Sequence, residues 1–100
     1  YVANYSGGSV VLQHLTDDGH LSVLAEIHKY SSKGFHPRQE KSHIHQVILS
    51  PDKKYLLATN LGGDEIYTYK ISKDKQAPYL EDEIVTKLNP GAGPRHLVFD

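Results

Sequence analysis

Apolar and β-branched residues recur along this chain in short runs, each closed by Gly, Pro, Asn or Asp. That is a strand-and-turn pattern rather than a helical one. It predicts strands over Tyr1–Asn4, Ser9–Leu15, Leu21–His28, Ile44–Leu49, Tyr55–Thr59, Ile66–Ile71 and Leu80–Thr86. Within 66–71, Ile66, Thr68 and Lys70 alternate with Tyr67, Tyr69 and Ile71, a period of two with one more apolar face. Asp17-Asp18-Gly19 predicts a hairpin turn, because Asp and Gly tolerate positive φ. Ser50-Pro51-Asp52-Lys53 predicts a second turn, and a polar loop is expected over Lys73 to Ala77. The Glu and Lys residues of 80–86 suit an outer rim, where charge discourages edge pairing.

The strand pattern repeats. Val2-Ala3-Asn4-Tyr5-Ser6-Gly7-Gly8-Ser9-Val10 aligns with Ala58-Thr59-Asn60-Leu61-Gly62-Gly63-Asp64-Glu65-Ile66, an offset of 56 residues. His45-Gln46-Val47-Ile48-Leu49 aligns with Arg95-His96-Leu97-Val98-Phe99, an offset of 50. An all-β period near 50 indicates a β-propeller, each repeat being one radial four-stranded blade. Residues 1–28 then form the last three strands of one blade, 44–87 a complete blade, and 95–100 the start of the next. The chain reads as about two blades of a larger ring. His28–Ser42 and Leu88–Pro94 would be equivalent links from an outer strand to the next inner strand, at the mouth of the central channel.

Composition narrows the function. Eleven basic and twelve acidic residues give a net charge of −1 without a basic block, against electrostatic binding of nucleic acid. Apolar runs are too short for a membrane-spanning helix. The lack of cysteine excludes disulfides and thiolate metal sites here. A cytoplasmic location is expected.

Candidate chemistry gathers on the links. His45 and Arg95 occupy equivalent starts of successive inner strands, so they should lie side by side around the channel. An imidazole can accept a proton from water, and a guanidinium can hold an anion or a developing oxyanion. Like charge beside an imidazole favours its neutral, proton-accepting form. The pair would suit attack of water on a carbonyl. Each residue also has a plain structural role open to it, in a strand start or in bracing a loop. His43 and His45 share one face of an extended strand, but two histidines without a third ligand are a thin basis for zinc, and no metal is assigned. His14, His20 and His28 are expected at the surface; Tyr5, Tyr55, Tyr67 and Tyr69 are expected to pack the blades. The Gly pairs fit turns better than phosphate loops, since no helix follows.

Val2–Val10, Arg38-Gln39 through His43-Ile44-His45-Gln46-Val47, Ser50-Pro51-Asp52 and Gly93-Pro94-Arg95-His96-Leu97-Val98-Phe99 together resemble the seven-bladed lactonase family, which includes the propeller-type 6-phosphogluconolactonases. The resemblance runs in order along essentially the whole chain. It implies a closed ring of seven blades, and cofactor-free hydrolysis of 6-phospho-D-glucono-1,5-lactone to 6-phosphogluconate in the pentose phosphate pathway. It also implies His45 and Arg95 as catalytic residues, with a glutamate from a following blade. Arg38, His43 and His96 would be secondary contacts for a phosphate. Asn60 stands where relatives often carry aspartate. Two alternatives stay open: a lactonase or cycloisomerase for another acidic lactone, and a non-catalytic propeller that binds partners on its disc face.

Overall fold

The computed structural model describes residues 1–74 and 76–100. Lys75, within the expected loop over Lys73–Ala77, lies outside the described residues. The strands are β1 (Val2–Asn4), β2 (Ser9–Leu15), β3 (Leu21–Lys29), β4 (Ile44–Leu49), β5 (Tyr55–Asn60), β6 (Glu65–Ile71) and β7 (Leu80–Lys87). They form two antiparallel sheets, β1-β2-β3 and β4-β5-β6-β7, each in simple meander order. A one-turn 3-10 helix over Pro37–Gln39 interrupts the long link. Proline supplies the fixed φ at its start, and His36 and Gln39 exchange capping hydrogen bonds. That turn was not expected from the sequence.

The turns are built as their residues require. Gly19 adopts φ 84° and donates to the Thr16 carbonyl at 2.9 Å. Lys53 takes φ 58° and donates to Ser50 O at 2.8 Å. The repeat is visible in the hydrogen bonds. Tyr30 N–H donates to the Gly8 carbonyl at 3.0 Å, and Leu88 N–H donates to the equivalent Asp64 carbonyl at 2.8 Å. Both turn residues are left-handed, with φ of 61° at Gly8 and 55° at Asp64. Residues 95–100 form no ladder. A strand needs a paired neighbour, and this segment is instead tied through side chains described below.

The sheets pack face to face through Val10, Ile44, Leu56, Ala58, Tyr67, Tyr69 and Leu80. Tyr67 and Tyr69 are buried on the apolar face of β6, as its period of two requires. Tyr30, from the link, stacks on Tyr67 with ring centroids 4.0 Å apart, and its hydroxyl meets that of Tyr69 at 2.5 Å. Glu26 of β3 reaches across to accept from the backbone N–H of Tyr79 at 2.5 Å and Leu80 at 3.2 Å. Burial opposes its ionisation, but the His28 ring and those two donors hold its pKa below the usual carboxylate range. His28 is therefore half-buried, its ring 4.9 Å from Tyr69, rather than at the surface as expected; His14 and His20 are exposed. Tyr55 and Tyr5 also depart from expectation, each being about two-fifths exposed.

Candidate active site

His45 sits at a break in register. Ile44 pairs with Asn60 and Gln46 with Thr59, so His45 is an extra residue in β4. A bulge of this kind re-aims a side chain away from strict alternation. The His45 ring lies edge-on to Tyr5, centroids 5.8 Å apart, and edge-on to His96 at 4.9 Å. Its Nδ1 is buried with no hydrogen-bond partner among the described residues. His43 packs against the same tyrosine, stacked at 4.2 Å. Tyr5 is thus a shared wall for both imidazoles, a role that a reading as blade packing missed.

His43 is buried and both of its nitrogens are engaged. Nδ1 lies 3.0 Å from the Tyr5 carbonyl oxygen and Nε2 lies 2.8 Å from Glu40 Oε1. Its backbone N–H donates to Asn60 Oδ1 at 3.0 Å. Both ring nitrogens of His43 are thus occupied within the fold, which leaves neither for the phosphate contact expected of it.

The segment carrying Arg95 and His96 is held alongside β4 by two side chains. The Thr59 hydroxyl donates to the Arg95 carbonyl at 2.9 Å while accepting from Gln46 N–H at 3.1 Å. The Gln46 side-chain oxygen accepts from Leu97 N–H at 2.5 Å. This brings the 95–97 segment beside His45. The ring contact found is His45 with His96, and Arg95 lies exposed next to it. Arg38 is exposed on the 3-10 turn. An exposed guanidinium is the kind of group an anionic ligand would use.

Both links converge on one buried carboxylate. Asp64 Oδ1 accepts from Gln39 Nε2 at 2.6 Å and from Gly93 N–H at 2.8 Å; Oδ2 accepts from Gly91 N–H at 2.8 Å. Gln39 also donates to the Leu61 carbonyl at 2.8 Å. Burial resists ionisation of Asp64, yet the Gly93 and Gly91 donors with the Gln39 amide bring its pKa below the ordinary value. The sequence marks Asp64 as a turn residue and nothing more, because its partners lie 25 to 29 positions away.

A meander sheet of four strands, packed on the neighbouring sheet of the preceding repeat, defines the chain as part of a β-propeller. The family model described as "Lactonase, 7-bladed beta-propeller" matches residues 1–100, and the chain belongs to that family. It is 37% identical over 102 residues to the 6-phosphogluconolactonase of Bacillus subtilis (strain 168), covering 97% of this chain and 27% of that protein. The 6-phosphogluconolactonase of Formosa agariphila is 31% identical over 100 residues, covering 98% of this chain and 28% of its own. Among solved structures, the periplasmic gluconolactonase PpgL of Pseudomonas aeruginosa superposes with a TM-score of 0.88 at 34% identity, covering 97% of this chain and 28% of that one. The chain therefore spans little more than a quarter of the length of these relatives. Among the described residues, no helix is long and apolar enough to cross a membrane.

Proposed function

We propose that the propeller to which these blades belong hydrolyses 6-phospho-D-glucono-1,5-lactone to 6-phosphogluconate, a step of the pentose phosphate pathway. The observation that carries the reading is the meeting of the bulged His45 with the Arg95–His96 segment in a lactonase-family chain. Water adds to the lactone carbonyl carbon as His45 takes its proton. The tetrahedral intermediate then collapses with cleavage of the ring C–O bond, the proton passes to the leaving ring oxygen, and the open-chain acid results. Arg95 stabilises the oxyanion or anchors the phosphate, with His96 and Arg38 as further donors. No cofactor or metal is called upon. A cytoplasmic place goes with a phosphorylated substrate.

One observation favours a second role for His45. As a base through Nε2, His45 would carry its proton on Nδ1, which is buried with no acceptor among the described residues. An orphaned N–H is costlier than an unused lone pair. The opposite tautomer makes Nε2 a donor to the carbonyl oxygen. His45→Gln separates the two roles, since an amide can donate but cannot serve as a base.

The test is turnover by the full-length protein, followed by acid release above the spontaneous rate. His45→Ala and Arg95→Ala should each cost about two to four powers of ten while the protein stays folded. Normal turnover in both variants sinks the assignment. Equal turnover of phosphorylated and unphosphorylated lactones would favour another acidic or neutral lactone as substrate, the activity that the name of PpgL indicates for that relative.

A further inference from the structure

We infer that Asp64 is a positioning residue for the site, setting the Arg95–His96 segment by binding both links at once. The inference rests on the proposed role of Arg95.

The backbone at position 64 does not call for aspartate. The equivalent residue of the preceding repeat is Gly8, which makes the same left-handed turn, and its carbonyl accepts the same kind of bond from the following link. Glycine adopts that conformation without the steric cost that a side chain carries. At position 64 the chain accepts that cost and buries a carboxylate, which is otherwise unfavourable. The gain is in the links. Gly91 and Gly93, with φ of 83° and 54°, turn their N–H groups onto the two carboxylate oxygens. Gly93 stands two residues before Arg95. Gln39, on the same carboxylate, adjoins Arg38. Charge-assisted bonds of this kind are short and directional, so they fix where each link leaves the fold. One side chain thereby sets the spacing between the candidate cation on one link and those on the other. The first repeat has no such group at Gly8, and its link is gathered instead by Gln39 and by Ser42, whose hydroxyl donates to the Ser32 carbonyl at 2.8 Å.

The experiment uses the full-length protein with Asp64→Gly, Asp64→Asn, Arg95→Ala and the Asp64→Gly/Arg95→Ala double variant. Asp64→Gly restores the turn found at Gly8 and deletes all three link bonds. Asp64→Asn keeps an acceptor for Gly93 and Gln39 but sets an N–H against that of Gly91. A displacement on the order of 1 Å at a reacting group can cost about 10²-fold. Asp64→Gly should therefore lower kcat/KM by about 10- to 100-fold, and Asp64→Asn by less. In the Arg95→Ala background the same change should cost under about threefold, because residues that act through one another are not additive. A purely structural role would slow both backgrounds alike. Equal losses in both, or an unaffected Asp64→Gly beside an impaired Arg95→Ala, overturns the inference and leaves the proposed function standing. Normal turnover in Arg95→Ala removes the inference together with the role proposed for Arg95, and the proposed reaction is then judged on His45→Ala. Where Asp64→Gly does not fold, Asp64→Asn is judged in both backgrounds by the same criterion.

Discussion

Replacing Asn60 by aspartate should destabilise this protein. The reason is the direction of the protons around the side chain. Asn60 is fully buried, and its Oδ1 accepts from the backbone N–H of His43, Gly62 and Gly63 at 3.0 to 3.2 Å. Aspartate would keep those three bonds. The amide Nδ2 faces the oxygens of Ser32, Ser42 and Tyr67 at 2.9, 3.1 and 3.2 Å. Each of those hydroxyls has already given its proton away: Ser32 to Glu65 at 2.6 Å, Ser42 to the Ser32 carbonyl at 2.8 Å, and Tyr67 to Glu65. A carboxylate at position 60 would meet only lone pairs, with the Glu65 carboxylate one hydroxyl away. The amide has two protons, so two bonds of about 1 kcal/mol each are lost. The desolvated like-charge neighbour adds to this, for a total of about 2–4 kcal/mol. Asparagine at 60 is thus matched to glutamate at 65. The assay is denaturant unfolding of full-length Asn60→Asp, Glu65→Gln and the double variant. Glu65→Gln should recover a large part of the loss, giving a coupling of at least about 1 kcal/mol. An unchanged midpoint for Asn60→Asp, or strictly additive losses, would refute the reasoning.

Further predictions concern the tyrosine cluster and the turns. Burial first, and then the Glu65 carboxylate, push the Tyr67 hydroxyl up to about 12. Its neutral form therefore stabilises the fold fully below about pH 10, the usual tyrosine value. That contribution is lost as the pH rises through about 12. Burial raises Tyr30 and Tyr69 as well, so ultraviolet titration should show Tyr30, Tyr67 and Tyr69 still neutral at pH 11 where the unfolded chain has ionised them, and Tyr67→Phe should shrink that difference by one tyrosinate; normal titration of every tyrosine would contradict it. A Cβ at Gly62 would drive into the Lys41 carbonyl oxygen, whereas one at Gly19 meets nothing within 4 Å. Gly62→Ala should cost more than about 2 kcal/mol, and Gly19→Ala only about 1 for its positive φ; equal unfolding midpoints for the two would contradict this.

The strands were legible because their signals are local. Alternation in Ile66–Ile71 and the Gly, Pro and Asp turns placed all seven elements within about a residue or two of their bounds. The internal repeat extended to the hydrogen bonds of Gly8 and Asp64. What escaped reading is non-local. Nothing in Ile44-His45-Gln46 announces that His45 stands outside the ladder, since a bulge is set by the partner strand. Tyr5 belongs to the site through contacts some 40 positions away. Pro37 with Gln39 did carry a local helix-start signal, and its importance lies in burying Gln39 against Asp64.

The most direct test of a shared site is a crystal structure of the full-length protein with 6-phosphogluconate bound. The product carboxylate should lie within hydrogen-bond reach of His45 Nε2, with its phosphate or carboxylate on the Arg95 guanidinium. Product bound away from both side chains, at another part of the ring, would contradict the account.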